Sequence, residues 1–221
     1  MSDRTEVWLS TQNGCDMGCE GCVYTITRQN RMPMSDPSLR VYTKAEQIKY
    51  ANQYIDPGAS ALKIKFQGRG DPLINPSILN KFDEVYESIM KTVKCPGIKH
   101  DSVSMEVNTI MPELFVGNEL YDVFGQTSEF TKEIGINYSI YANDRICRMI
   151  SSNSMLSQYA LDKLNKYQVK TGGPIGFNIT TADRCYPGLK PPYGPRDEVQ
   201  LITNLIESYK FEKPIINITK F

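Results

Sequence analysis

Cys15, Cys19 and Cys22 fall within the segment Cys15-Asp-Met-Gly-Cys19-Glu-Gly-Cys22, at steps of four and three residues. Three thiolates this close repel one another and oxidise readily unless something binds them. Thiolates are soft ligands, and a tight loop can wrap an iron–sulfur cluster. A common cubane site uses four cysteines. This loop supplies three, with no fourth soon after, which leaves one iron open to a ligand. A zinc site would want four ligands, usually as two separated pairs. A disulfide framework would want paired cysteines and a secreted context. The spacing favours iron–sulfur chemistry, and a non-catalytic iron–sulfur or zinc-binding module is the alternative.

A second stretch carries chemistry. Gly68-Arg69-Gly70-Asp71-Pro72-Leu73 follows directly on the run Leu62 to Gln67. Glycines at the carboxyl end of a parallel strand let backbone approach a ligand closely. A plain Gly-Pro turn between strand and helix is the competing reading.

The C-x3-C-x2-C spacing resembles the signature of the radical S-adenosylmethionine (radical SAM) enzymes. The resemblance implies a 4Fe–4S cluster on Cys15, Cys19 and Cys22, its open iron chelated by the amino and carboxylate groups of S-adenosylmethionine. In that family an electron from the cluster cleaves a carbon–sulfur bond. The products are methionine and a 5′-deoxyadenosyl radical that abstracts hydrogen from a substrate. An external donor of the flavodoxin or ferredoxin type supplies the electron. Gly21 stands where the family often has an aromatic residue. Gly68, Arg69, Gly70 and Asp71 occupy the place of a Gly-Gly-Glu-Pro-like segment. Its carbonyls and acid receive the ammonium of S-adenosylmethionine, a triple donor that needs acceptors. Asp71 is then a shorter substitute for the usual Glu.

The variant Gly-Arg-Gly-Asp-Pro-Leu-Ile-Asn is most similar to the radical SAM adenine methyltransferases of ribosomal and transfer RNA, which carry Gly-Met-Gly-Glu-Pro-Leu followed by Asn. Val107-Asn108-Thr109 with Pro112, and Ser139-Ile-Tyr-Ala-Asn-Asp-Arg145, resemble further pieces of that branch. By this resemblance Asn108 and Ser139 contact the carboxylate or ribose of the cofactor. Tyr24 lies along its adenine, against a core or surface role for the same ring. Asn217 and Thr219 are further candidates for the adenine. The branch also has an N-terminal accessory domain and a methyl-carrying cysteine beyond the barrel. The sequence has ten residues up to the end of its first strand and no cysteine after Cys185. The scaffold is therefore carried over and the methyl transfer is not. The substrate stays open among three classes. These are a small molecule, as in the enzymes that contract a pterin ring toward 7-deazaguanine, a partner protein given a glycyl radical, and an RNA or peptide.

The elements that must position these residues are legible as alternation. Val7–Ser10, Leu62–Gln67, Val103–Asn108, Ile136–Tyr141, Ile175–Thr180 and Ile215–Phe221 read as strands rich in β-branched and aromatic residues. Helical spacing lies between them. Thr43-Lys-Ala-Glu46 is a capping box for a helix stopped by Asp56-Pro57-Gly58. Further helices are predicted from Pro76-Ser77 to before Cys95, over Pro112–Phe124, over Ser154–Tyr167 and over Arg196–Tyr209. In the third, Leu114, Phe115, Leu120 and Phe124 are the expected apolar contacts. In the fourth they are Leu156, Tyr159, Ala160, Leu164 and Tyr167. Alternating strands and helices imply right-handed crossovers and a parallel sheet. The expectation is one α/β domain over 1–221, a partial (β/α)6 barrel of the radical SAM type. Gln29–Tyr42 and Arg184–Arg196 lie at the face where barrel chemistry happens, as lids or plain loops.

Composition bounds the rest. The chain has 221 residues, 40% apolar and 23% charged, with 25 Lys and Arg balancing 25 Asp and Glu. A neutral balance gives no electrostatic footprint for bulk nucleic-acid binding. No apolar run is long enough to span a membrane, and no signal-peptide pattern opens the chain. A cytoplasmic location is the expectation, and reducing conditions there suit thiolate ligands. Cys95, Cys147 and Cys185 stand singly and read as ordinary thiols. His100, the one histidine, reads as a surface residue. No side chain is singled out as catalytic.

Overall fold

The second strand shows the rule that builds the sheet. Along Ala61–Phe66 the residues Leu62, Ile64 and Phe66 are buried, and Ala61, Lys63 and Lys65 point to the opposite face. The computed structural model describes residues 4–15, 42, 46, 47, 49, 53, 55, 56, 58–75, 98, 102–124, 134–141, 157–181 and 195–220. Six strands make one sheet: β1 (Arg4–Leu9), β2 (Ala61–Phe66), β3 (Val103–Thr109), β4 (Ile134–Tyr141), β5 (Ile175–Thr181) and β6 (Ile215–Lys220). They lie side by side in chain order, every neighbouring pair parallel. Among the described residues β1 and β6 do not pair with each other, so the sheet is open. Trp8, Ile215 and Ile218 on these two outer strands are each more than half exposed.

One face is mainly apolar, with Thr109 at the end of β3 among its buried residues. Val7, Ile64, Met105 and Ile134 form one row across it, and Phe66, Val107, Ile136 and Ile175 the next. Three helices are described: α1 (Leu120–Phe124), α2 (Ser157–Thr171) and α3 (Pro195–Ser208). They contribute Leu120, Phe124, Leu161, Leu164, Tyr167, Ile202 and Ile206 to the same buried cluster. Each such side chain stabilises the fold by about 1.5–3 kcal/mol relative to exposure. Tyr167 also donates its hydroxyl to the Ile134 carbonyl at 3.1 Å, which ties α2 to the start of β4.

The strands match the sequence expectation, with β1 beginning at Arg4 and β4 at Ile134. The helix expected over Pro112–Phe124 is instead a 3-10 turn, Glu113–Phe115, followed by the short α1. Gly117-Asn118 interrupts the run, and glycine is a poor helix-interior residue. Leu114 is consequently exposed while Phe115 is buried. In α2 the expected Tyr159 is exposed too. Leu161 is buried in its stead, beside Ala160, Leu164 and Tyr167. The helix expected after Pro76 lies outside the described residues. So do most of the two candidate lids, together with Cys95, Cys147, Cys185 and His100.

Candidate cofactor site

The site begins where β1 ends. Ser10, Thr11, Gln12 and Asn13 lead to Cys15, and the turn Gly68–Asp71 lies against them. The Arg69 carbonyl accepts from Thr11 N at 3.0 Å and Gln12 N at 3.1 Å, and Arg69 N donates to Ser10 Oγ at 3.2 Å. The Arg69 guanidinium reaches the Asn13 carbonyl at 2.9 Å. Arg69 is therefore the joint between the two segments.

The glycines are required by this approach. Gly68 has φ 125° and Gly70 φ 78°, backbone that L side chains rarely adopt. A Cβ on Gly68 would stand 2.5 Å from Ser10 Oγ, and one on Gly70 would overlap the Gln12 carboxamide. The turn and the cysteine segment are packed backbone against side chain, with no room for a Cβ at either glycine.

Asp71 holds the turn from the other side. It is 5% exposed. Its Oδ1 accepts from Leu73 N at 2.9 Å, capping the 3-10 turn Pro72–Ile74. Its Oδ2 accepts from Ile110 N at 2.9 Å, and the Thr109 hydroxyl donates to the carboxylate 2.9 Å from either oxygen. Thr109 Oγ1 in turn accepts from Met111 N, where the chain turns with φ 53°. The acid thus fastens the turn after β2 to the end of β3.

Asn75 completes the frame. Its Nδ2 donates to the Thr11 carbonyl at 2.9 Å and the Tyr42 carbonyl at 3.3 Å, and Tyr42 N donates to the Thr11 carbonyl at 2.8 Å. The chain that leaves through Cys15 returns at Tyr42 to the point from which it left. Cys15 itself is half-buried. Cys19, Cys22 and Tyr24 lie outside the described residues.

Asn108 and Ser139 share the polar face of the sheet. Asn108 sits opposite Asn137, and Ser139 opposite Asn178, which in turn sits opposite Asn217. Asn108 donates to Glu106 at 3.1 Å, and Asn217 donates to Asn178 at 3.1 Å. The Asn137 carboxamide leans across Gly176, where any Cβ would collide with it. Further down this face the charges are paired: Lys63 with Glu106 and Lys65 with Glu6. The Lys65 ammonium holds the Glu6 carboxyl below its usual range, against a smaller upward push from burial.

Asn137, Asn178 and Gln12 were not singled out in the sequence. The first two had a signal: Asn137-x-Ser139, Asn178-x-Thr180 and Asn217-x-Thr219 repeat one polar alternation on three successive strands. Gln12 had none, because its surroundings come from Gly70, far along the chain. Among the described residues no cluster of three or more metal-ligating side chains is assembled, and no helix is long and apolar enough to cross a membrane.

No protein-family model matches the sequence, and neither does any curated protein sequence. Among solved structures the chain is similar to the radical S-adenosylmethionine methyltransferase TsrM from Kitasatospora setae, solved with cobalamin and a [4Fe–4S] cluster bound. The TM-score is 0.56 at 10% identity, over 96% of this chain and 36% of that one. A second similar structure is the HMG-CoA lyase from Brucella melitensis, with TM-score 0.46 at 13% identity, over 96% of this chain and 60% of that one. The chain spans about a third of the length of TsrM. The shared feature is the fold, a partial (β/α)6 barrel of parallel strands that does not close.

Proposed function

We propose that this protein is a radical SAM enzyme, with Cys15, Cys19 and Cys22 as the ligands of a 4Fe–4S cluster. One observation carries the reading: the segment entering the cysteine loop is bonded through Thr11 and Gln12 to the glycine turn at the carboxyl end of β2. That is where ligands gather in parallel α/β sheets. The donor set is chemically suited to the cluster. The glycines at positive φ and the buried, unpartnered Gln12 Oε1 beside them suit a ligand with strong donors. When bound, the reduced cluster and S-adenosylmethionine together supply hydrogen-atom abstraction.

The chain's own residues have separable roles in this reading. Gly68 and Gly70 give backbone access to the methionine end of the cofactor, and Arg69 fixes the distance between turn and cysteine segment. Asp71 acts through its bonds to Thr109 and Ile110, as a positioning group. Asn108 and Ser139 reach the carboxylate or ribose, and Tyr24 the adenine. The polar face of β4 and β5 offers carboxamides and a hydroxyl instead of net charge, which favours an uncharged portion of substrate above it. An external one-electron donor protein is required as partner.

The test is anaerobic reconstitution followed by reduction in the presence of S-adenosylmethionine, with 5′-deoxyadenosine quantified. Product is expected from the wild type, and none from Cys15→Ala, Cys19→Ala or Cys22→Ala, whose iron content also falls. A fully loaded wild type that makes no 5′-deoxyadenosine would leave a non-catalytic metal-binding module as the better description.

A further inference from the structure

We infer that the Gln12 carboxamide is the side-chain acceptor for the amino group of the bound cofactor, the role that the sequence suggested for Asp71. The inference rests on the cofactor reading above and goes beyond it by reassigning the contact.

Two independent observations meet here. The first concerns Asp71. Both of its oxygens already accept, from Leu73 N, Ile110 N and the Thr109 hydroxyl, all at 2.9 Å. A carboxylate has about four lone-pair sites, and with three donors already on it and 5% exposure Asp71 has at most one left for a ligand. The second concerns Gln12. It is 3% exposed, and its Oε1 is buried without a hydrogen-bond partner. A buried amide oxygen left unsatisfied costs stability, and native proteins retain few of them. Its position is specific, because the carboxamide lies on the Cα of Gly70, in the space that a Cβ would need. Gln12 also stands three residues before Cys15, so it joins the glycine turn to the cysteine segment. The cofactor's amino group, its lone pair on the open iron, keeps two N–H donors, and donating them to Gln12 Oε1 and a turn carbonyl would satisfy the orphaned acceptor without disturbing Asp71.

Binding separates this role from a structural one, using reconstituted, unreduced protein so that no turnover occurs. Titration calorimetry would compare S-adenosylmethionine with its deamino analogue, in which hydrogen replaces the amino group. A hydrogen bond to a charged donor is worth roughly tenfold or more in affinity, and the wild type is expected to prefer the natural cofactor by at least that ratio. Gln12→Met, close in volume and lacking the acceptor, should cut the ratio by about that tenfold, leaving the part owed to the bond between the amino nitrogen and the open iron. Gln12→Glu, which keeps an acceptor, should preserve it. Without ligand, Gln12→Met should melt roughly 2–4 °C higher, since a buried unsatisfied group is gone. An unchanged ratio in Gln12→Met would overturn the inference while the cofactor reading stands, as it would if Gln12 Oε1 merely holds a water. Absence of any binding by the wild type would remove both.

Discussion

Asp71 is a carboxylate whose lone pairs are committed before any ligand arrives. Asp71→Ala would leave Leu73 N, Ile110 N and the Thr109 hydroxyl without their acceptor. The ligand-free protein should lose about 3 kcal/mol, read from urea unfolding. An acid serving only a ligand would leave that unfolding curve in place. Gly176 makes a second case. Gly176→Ala would push a methyl into the Asn137 carboxamide and should cost about 1–3 kcal/mol, the usual range for overpacking. Neither role is written in the residue types. Asp before Pro reads as a ligand acid or as a turn residue with equal ease. Only the partners on β3, nearly forty residues on, separate the two.

At the level of elements, Asn75 decides how the cysteine loop meets the sheet. Asn75→Ala removes both bonds to the base of the loop and leaves the buried Thr11 carbonyl with fewer donors. The Tyr42 amide, which donates to that carbonyl, should then exchange its hydrogen faster, by about fivefold for about 1 kcal/mol of lost protection. Unchanged exchange at Tyr42 would show that the loop base is held elsewhere. The strands themselves were legible because half-buried alternation leaves little ambiguity. Ala61-Leu-Lys-Ile-Lys-Phe66 and Val103-Ser-Met-Glu-Val107 admit one register only, since a slip would bury lysine or glutamate. The run Pro112–Phe124 reads as one helix because apolar residues at helical spacing continue across Gly117-Asn118, and spacing alone does not register a break. The cysteine loop and the glycine turn were each recognisable, but their apposition through Arg69 was not, because it joins segments more than fifty residues apart.

For the whole molecule, the described groups with shifted titration lie at opposite ends of the pH scale: Glu6 at the acid end, Tyr167 and Tyr209 at the alkaline end. Burial raises the Tyr167 phenol above its ordinary value of 10.0. The folded state thus favours the neutral ring, and its contribution is intact below pH 10. Stability is lost as the pH rises above that value, where the unfolded chain ionises first. Tyr167→Phe should cost about 1 kcal/mol at neutral pH, through the bond to Ile134, and flatten the alkaline limb of the stability profile. Chemical denaturation between pH 8 and 11 reads both effects, and an equally steep limb in the variant would assign it to another group. Glu6 acts in the opposite sense. Its depressed carboxyl contributes above its ordinary value of 4.5, and the contribution disappears as the pH falls through the lower, folded value. Solvent screens this pair, so the acid effect is small.

The Thr11 carbonyl, bonded from both Tyr42 and Asn75, makes the stretch between Cys15 and Tyr42 a detour that starts and stops at one spot. Doubling such a detour costs only about 0.6 kcal/mol of closure entropy. Lengthening it therefore costs the six-strand platform little in closure entropy. Relatives that kept the platform and diverged in the detour would acquire new chemistry from the same foundation.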